Sequence, residues 1–508
     1  MKKGLGVRIA VVGAGMAGIV HARVLSQLGH EVVVFEKAAD VGGVWSAERR
    51  YTGLRTQNNR ASYSFSELPM PRDYPEWPTG EQVQAYMERY VAKFDLRKHL
   101  RLHTEVIHAE PTLDNDGWLI TARRFQHRPQ APEHFDHLVI ANGIFSEAAY
   151  PEFEGYADLI RADGVVVASS RLNNVESVRG KHVVVVGYGK SACDIATEVS
   201  HIAASTTVVA RHLLWKMPQR LSGALNFKYL LLTRFGENLF PYQTQDSGME
   251  RFLHGRGNAA RQAVLDFVGS LVARQHGLKK LGLVPDGGFD EIARSTVSLS
   301  TPGFYEQVAA GKITVHRDTQ VDRFVVTDDG QRLAELSNGE SVTTDVVITA
   351  TGFKQQIPFM DEVVTKRLLD QDGNFQLWRQ ILPHDVPNLT FAGYNSSFFS
   401  PLSAEIGALW VGAYLADVLD LPPVAQRRAQ VASRVRWMEE RTDGRHARGT
   451  NVLPFSLHNI DETLTDLGLD VSRLTRFKQW LLPVDPTAYR VLLPRLEEKI
   501  ARARTMAA

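Results

Sequence analysis

IAVVGAGMAGIV, residues 9–20, reads as a buried strand, a glycine turn and the opening of a helix; VVVVGYGKSACDIA, residues 183–196, repeats that order. The run VRIAVV is apolar except for Arg8, the pattern of a strand covered on both faces in a parallel sheet. Gly13, Gly15 and Gly18 follow at the spacing that supplies a tight turn, a close backbone approach to a pyrophosphate, and close packing of helix on strand. The expected helix, MAGIVHARVLSQLG, turns its positive N-terminal end toward those phosphates. A second strand, HEVVVFE, ends at Glu36, where a carboxylate accepts both hydrogen bonds of a ribose diol and repels a 2′-phosphate.

The second unit carries two changes. Gly187 and Gly189 are followed by Ala192 instead of a third glycine, so its helix stands slightly further from its strand. Its paired strand, STTVVAR, has Ala210 in place of the acid and then Arg211, and a guanidinium suits a 2′-phosphate. Lys190 and Ser191 open the helix as cofactor-binding candidates; Lys216 and Arg220 are weaker candidates, each read more simply as a surface charge. The charge logic of the first pocket suits FAD and that of the second suits NADPH.

The echo runs on. RLHTEV, a turn at LDNDG and FDHLVIANG (135–143) follow the first unit; KITVHRDTQV, a turn at TDDG and TTDVVITATGF (343–353) follow the second. Each unit therefore has a βαβ start, a small antiparallel crossover, and a returning strand ending in a small residue, a polar residue and glycine. The expected fold class is α/β: two Rossmann-like dinucleotide-binding domains, the NADPH domain inserted in the FAD domain, with a helical C-terminal extension. The expected boundaries are 1–160 and 341–440 for the FAD domain, 161–340 for the NADPH domain and 441–508 for the extension. Hydride transfer needs the reacting atoms within about 3–3.5 Å, so the pockets must face a shared cleft.

Composition narrows the function classes. A chain of 508 residues suggests about three domain-sized units, or two with insertions. It is 44% hydrophobic and 23% charged with a formal charge of +1, which leaves no strongly basic face for nucleic acid. The start resembles a secretion signal, but Arg8 interrupts its apolar run and its glycines sit where a nucleotide turn needs them. No segment reaches the ~18 uninterrupted apolar residues of a membrane span; AEIGALWVGAYLADVLDL (404–421) is broken by Glu405, Asp417 and Asp420 and is expected as a buried or amphipathic helix. The single cysteine, Cys193, excludes an intramolecular disulfide, a cysteine-pair redox centre and a thiolate zinc site, and fits a cytoplasmic setting. His127, His134 and His137 lack helix or finger spacing, so no metal is expected. The expected partners are a small-molecule substrate and O2, with no nucleic acid and no membrane; a homo-oligomer is compatible with the sequence.

Further motifs occur in order: VVVFEKAADVGGVW (32–45), GLRTQNN (53–59), the proline-rich SELPMPRDYPEWPTG, ATGF (350–353), VPNLTFAGYNSSFFSPLSAEIGALW, and IDETLTDLGLDVSRLTRFKQWLLPVDPTAYRVL. As an ordered set covering most of the chain they resemble the flavin-containing monooxygenases, within the wider group of Baeyer–Villiger and N-hydroxylating enzymes. The resemblance implies that NADPH reduces the flavin, O2 adds at flavin C4a, and the resulting peroxide delivers one oxygen atom while NADP+ shields it from water. The cofactors carry that chemistry; the protein positions and excludes. Gly42, Gly43 and Trp45 resemble the GGxW segment beside the flavin. Lys37, Val44, Thr56, Val106, Gly143, Thr351 and Gly352 join the implied cofactor-binding set. The last segment resembles the helical cover of a substrate tunnel.

Two departures bear on subclass. The fingerprint FxGxxxHS falls on ADGVVVASS (162–170), where Gly164 and Ser169 match but Ala162 and Ala168 replace phenylalanine and histidine. Where many members have an asparagine bonding the peroxide, alignment on Leu54 and Thr56 gives Gln57, with Asn58 as the alternate; glutamine keeps the amide and adds a methylene. A helix is expected near Ser403, its N-terminus toward the flavin pyrimidine edge, where its dipole stabilises negative charge. The expected activity is oxygen transfer to a small, largely apolar substrate, at nitrogen or sulfur ahead of Baeyer–Villiger insertion beside a ketone. The alternatives are an NADPH-dependent flavin reductase and a non-catalytic redox sensor.

Arg211→Ala is expected to weaken NADPH binding by about 1.5–3 kcal/mol, the worth of a charged hydrogen bond, and to leave NADH binding nearly unchanged. Titration of both nucleotides checks this; equal weakening would remove Arg211 from the 2′-phosphate.

Overall fold

The computed structural model describes residues 6–244, 248–294, 298–444, 448–452 and 457–507. Arg8–Val12 is the middle strand of a five-stranded parallel sheet ordered Leu389–Phe391, His137–Ile140, Arg8–Val12, Glu31–Phe35, Leu100–Arg101. His182–Val186 is the middle strand of a second, ordered Ile313–Arg317, Ser205–Ala210, His182–Val186, Val346–Thr349, Val165–Ala168. Helices Met16–Gln27 and Lys190–Val199 follow the two glycine turns. Each unit adds a three-stranded antiparallel crossover, Thr104–Pro111 with Trp118–Arg124 and Glu133–Phe135 in one, Val321–Val326 with Arg332–Leu336 and Ser341–Thr343 in the other.

The sheets differ in where the fifth strand comes from. The first takes Leu389–Phe391 from beyond the insertion, the second takes Val165–Ala168 from ahead of its own glycine turn. Val346–Thr349 pairs with His182–Val186, so the passage back to the first unit expected at residue 341 comes too early; the returning strand fills the place beside the middle strand before the chain can leave. The chain crosses between the units twice, and the crossings pair with each other. Glu147–Ala148 runs antiparallel to Phe353–Lys354, Ala149 N–H donates to Gly352 O at 3.0 Å, and Thr351 Oγ1 donates to Ala149 O at 2.6 Å.

Strand alternation places the core. Ile9, Val11, Val32 and Val34 share one large core with Val183, Val185, Val208 and Ile348, whereas the intervening Ala10, Val12, Val33 and Val184, Val209, Val347 face two separate cores. The facing sides of the two sheets are thus packed into one apolar body, which also takes in the tail.

Helix Ser400–Leu415 runs through that body. It begins earlier than the expected Ser403 because Pro401 sits in its first turn, where a missing N–H costs no hydrogen bond. Its sequence is apolar on all sides, as a buried helix requires, with one acid inside, Glu405. Ser66 donates from its N–H at 2.9 Å and from Oγ at 3.3 Å to that carboxyl. The tail carries helices Leu457–Leu467, Arg473–Leu481 and Leu492–Ala507, and the segment between the last two bridges both units: Ser62 Oγ donates to Val484 O at 2.7 Å, and Val484 N–H donates to Leu232 O at 3.1 Å. Among the described residues no helix is long and apolar enough to cross a membrane.

Burial lifts the Glu405 carboxyl from 4.5 to about 8, only partly offset by the Ser66 donors. The folded protein therefore holds a proton there that the unfolded chain has released. Stability from this group is full below the unfolded pKa and is lost as pH rises toward about 8, at about 1.4 kcal/mol per pH unit. Glu405→Gln is expected to raise Tm above wild type with a gap that opens from about pH 5 to about pH 8, read by thermal melts across pH.

Candidate active site

Both clefts open at the carboxyl ends of the parallel strands, and each is set by one glycine. Gly13 has φ +112°, and a Cβ there would lie 2.4 Å from Ala141 O; Gly187 has φ +124°, and its Cβ would lie 2.5 Å from Ala350 O. Gly13 N–H donates to Phe35 O at 2.8 Å and Gly187 N–H to Val209 O at 2.9 Å, so the same turn is built twice against a returning strand. Gly18 presses on that turn, its missing Cβ 1.9 Å from Gly13 O, while Ala192 at the matching place keeps a fully buried methyl. Both helices start at a glycine cap, Gly15 and Gly189, with no side-chain cap and no acid in the first turn. Their leading N–H groups therefore face a ligand position with positive potential. Over the first turn lies the Gly42–Gly43 backbone; a Cβ on Gly43 would stand 3.2 Å from Gly15 Cα.

Charge distinguishes the clefts. Glu36, 9% exposed, accepts from Ala14 N–H at 2.7 Å and from Ala38 N–H at 2.9 Å, one bond to each oxygen. Each oxygen keeps a lone pair for a hydroxyl donor. Lys37 faces Glu147 at 3.8 Å, and Val106 is buried at the bulge where its strand shifts register against Trp118–Arg124. Arg211 is exposed just past Ser205–Ala210 and has no ion-pair partner among the described residues. The weaker candidates are committed elsewhere. Lys216 is fully buried, donates to Tyr188 O at 2.7 Å, and has its ammonium pKa lowered by burial; Arg220 pairs with Glu76 at 3.1 Å.

The loop 53–59 bonds both units. Asn58, 1% exposed, donates from Nδ2 to Phe398 O at 2.7 Å and accepts from Asn59 N–H at 2.7 Å, which pins the loop to the start of helix Ser400–Leu415. Gln57 is half-buried, and its Oε1 accepts from Leu299 N–H of the second unit at 3.1 Å. Its Nε2 has no partner among the described residues. Trp45 is buried edge-on to Tyr63 at 5.9 Å, with Val44 beside it in the turn Gly43–Trp45. Ser46 Oγ and Thr56 Oγ1 are buried without a hydrogen-bond partner, a state folded chains seldom leave without cause. A glycine-lined floor, an uncapped helix end and two orphaned hydroxyls fit a bound dinucleotide with a polar ring system.

Some placements were not legible beforehand. Gly143 and Gly352 take positive φ at the ends of the returning strands, and Thr351 ties the interdomain ribbon. Ser191 stands beside Lys190, whose ammonium bonds Asp194 on the next turn. Asp194 also accepts from Tyr51 and Thr301, a convergence whose only local cue is the i, i+4 spacing to Lys190. His127, His134 and His137 do not converge: His137 is buried against Thr390 Oγ1 at 2.9 Å, and His134 faces Asp116. His108 instead lies 3.6 Å from both Glu110 and Asp361 on the surface.

A family profile described as flavin-binding monooxygenase-like matches residues 6–264. A probable flavin-containing monooxygenase 1 of Arabidopsis thaliana is 25% identical, over 92% of this chain and 93% of that protein. A 4-hydroxybenzoate brominase (decarboxylating) of Marinomonas mediterranea is 34% identical, over 83% of this chain and 76% of that protein. Among solved structures, OTEMO in complex with FAD and NADP has the same fold at TM-score 0.67 and 18% identity, covering 91% of this chain and 98% of that one.

The two adjacent amides are expected to separate on stability. Asn58→Ala strands two buried groups, Phe398 O and Asn59 N–H, at about 1–3 kcal/mol for each, whereas Gln57→Ala strands one, Leu299 N–H, and is expected to cost about half as much. Chemical denaturation of both variants checks the difference.

Proposed function

The chain belongs to the flavin-binding monooxygenase-like family and uses FAD and NADPH as a flavin-dependent monooxygenase, and from that premise we propose that it transfers one oxygen atom from O2 to nitrogen or sulfur of a small, largely apolar molecule. FAD takes the first cleft, with Gly13, Gly15 and Gly18 under its pyrophosphate and Glu36 on its ribose. NADPH takes the second, with Gly187, Gly189, Lys190 and Ser191 at the pyrophosphate and Arg211 on the 2′-phosphate. The observation that carries the reading is the place of Gln57: it lies in a loop of the first unit beside Asn58, which bonds at the start of helix Ser400–Leu415, and it is anchored to the second unit through Oε1 with Nε2 left over.

FAD, when bound, supplies electron storage and dioxygen activation, with electrons from NADPH. The residues do the rest. Gln57 Nε2 is the donor available to an oxygen-bearing group, and its anchored Oε1 keeps that donor oriented. Helix Ser400–Leu415 turns its N-terminal dipole toward the same junction, where negative charge is favoured. The tail, bonded to both units, excludes water. Such cover speaks against a reductase, which needs an exposed flavin edge for its protein partner. Alanine at 162 and 168, in place of the fingerprint phenylalanine and histidine, disfavours ketone insertion. The proposal extends to a cytoplasmic setting and to domain limits near 160, 352 and 440, the second moved past Val346–Thr349.

A second reading has one observation in its favour: the 34% identical relative is a brominase. Here the oxygen acceptor is a halide ion and the product a halogenated phenol. The deciding experiment supplies NADPH and O2 to the FAD-loaded protein with panels of amines, sulfides and ketones, and separately with bromide and 4-hydroxybenzoate. A mass gain of one oxygen on an amine or sulfide supports the first reading, and a brominated ring replaces it with the second. Gln57→Leu is expected to raise the hydrogen peroxide released per NADPH consumed while flavin reduction stays nearly unchanged. An unaltered product yield per NADPH would remove Gln57 from its role.

A further inference from the structure

Asp194 lies one turn into helix Lys190–Val199 and is 2% exposed. Its Oδ1 accepts from Lys190 Nζ and from Thr301 Oγ1, and its Oδ2 accepts from Tyr51 Oη at 3.0 Å. Tyr51 belongs to the first unit and opens the loop that carries Gln57. Thr301 belongs to the second unit and follows Leu299, whose N–H holds Gln57 Oε1 at 3.1 Å. The contacts close a circuit: Asp194 to Tyr51, along the loop to Gln57, across to Leu299, along the chain to Thr301, and back to Asp194. Two further contacts lay the loop on the second unit. Thr52 N–H donates to Leu172 O at 3.1 Å, and Gly53 approaches Glu198 so closely that a Cβ would stand 2.8 Å from its Cγ.

We propose that Asp194 is a positioning residue that couples nicotinamide-nucleotide binding in the second cleft to the placement of Gln57 in the first. The inference rests on the assignment of Gln57 to the flavin site made above. The physical argument is one of competition for the cation that bonds Asp194 directly. Lys190 is the first residue of its helix, at the end where the backbone N–H groups are uncapped, and among the described residues its ammonium is the direct ion-pair partner of the buried Asp194 carboxylate. An anion at that helix end draws on the same ammonium. Asp194 then rests more heavily on its two hydroxyl donors, Tyr51 and Thr301, and these hold the two chain segments that meet at Gln57. A buried carboxylate holds such donors strongly because the surroundings are of low dielectric and leaving it unpaired is costly. Nucleotide binding therefore tightens the clamp on the side chain that oxygen transfer needs held still.

The test uses the FAD-loaded full chain and NADP+, without substrate. Two quantities are read: NADP+ affinity by calorimetry, and the change that NADP+ produces in the visible absorption of the bound flavin. In wild type the nucleotide is expected to shift the flavin spectrum. Asp194→Asn frees Lys190, so NADP+ is expected to bind at least as tightly as in wild type while the spectral response is lost. A residue that merely supported the fold would weaken binding and response together. Tyr51→Phe deletes only the hydroxyl, and it stands in should Asp194→Asn not fold; it too is expected to keep NADP+ affinity and lose the response. In air with NADPH, Tyr51→Phe should raise hydrogen peroxide release about tenfold, and adding Gln57→Leu should raise it no further, since the two substitutions break one unit.

Retention of the full spectral response in Asp194→Asn or Tyr51→Phe overturns the coupling, as does additivity of Tyr51→Phe with Gln57→Leu. If Gln57→Leu alone leaves peroxide release at the wild-type level, the flavin-site assignment itself fails. The two failures are thereby told apart.

Discussion

A glycine resting on a carbonyl oxygen is the contact on which the molecule depends. At Gly13 and again at Gly187 the chain turns from strand into helix directly against the end of a returning strand, with no room for a methyl group. That approach fixes the distance between the middle strand and its neighbour, the angle at which the helix leaves, and the direction of its first N–H groups. A larger residue would both clash and enter a backbone region that L side chains rarely adopt. Two such contacts in one chain give two cavities of the same build, and the side chain at the end of the next strand differs in charge, Glu36 in one and Arg211 in the other.

In the proposed reading the chemistry belongs to the junction between the units. They are joined by a paired ribbon of the two crossings, by a common core between facing sheet surfaces, by a tail bonded to each, and by the loop 51–59. Each tie is modest alone, and together they restrict how one cleft moves relative to the other. An oxygen transfer that must exclude water and hold reacting groups within a fraction of an ångström is served by such redundancy. The same ties explain why a carboxylate is buried here: Asp194 sits where one unit meets the other, with specific donors from both, since a buried charge without partners would not be tolerated.

Much of the scaffold was legible from local pattern. The period-two strands, the glycine spacing and the repeated crossover are local features of the chain, and the structure carries them at the residues that showed them. The edges were harder. The fifth strand of each sheet, Leu389–Phe391 and Val165–Ala168, is short and ordinary in sequence, and only pairing identifies it. The residue where the second unit ends was misplaced for the same reason, because the neighbour that Val346–Thr349 chooses is not written beside it. Helix Ser400–Leu415 started early because proline is favourable in a first turn, which apolar patterning alone does not reveal.

Side-chain availability lay beyond the sequence. Gln57 and Asn58 are adjacent amides with equal claims in a one-dimensional reading, yet one is spent on Phe398 and the other is left with a free donor at the junction. Lys216 reads as a surface cation and is a buried one. Sequence alone determined that there would be two dinucleotide turns and roughly where each helix and strand would form, because those properties depend on residues within a few positions of one another. The tertiary structure decided which polar groups face a ligand and which hold the frame, because a hydrogen bond is settled by whatever the fold brings within reach, and the partners of Tyr51, Gln57 and Asn58 arrive from distant parts of the chain.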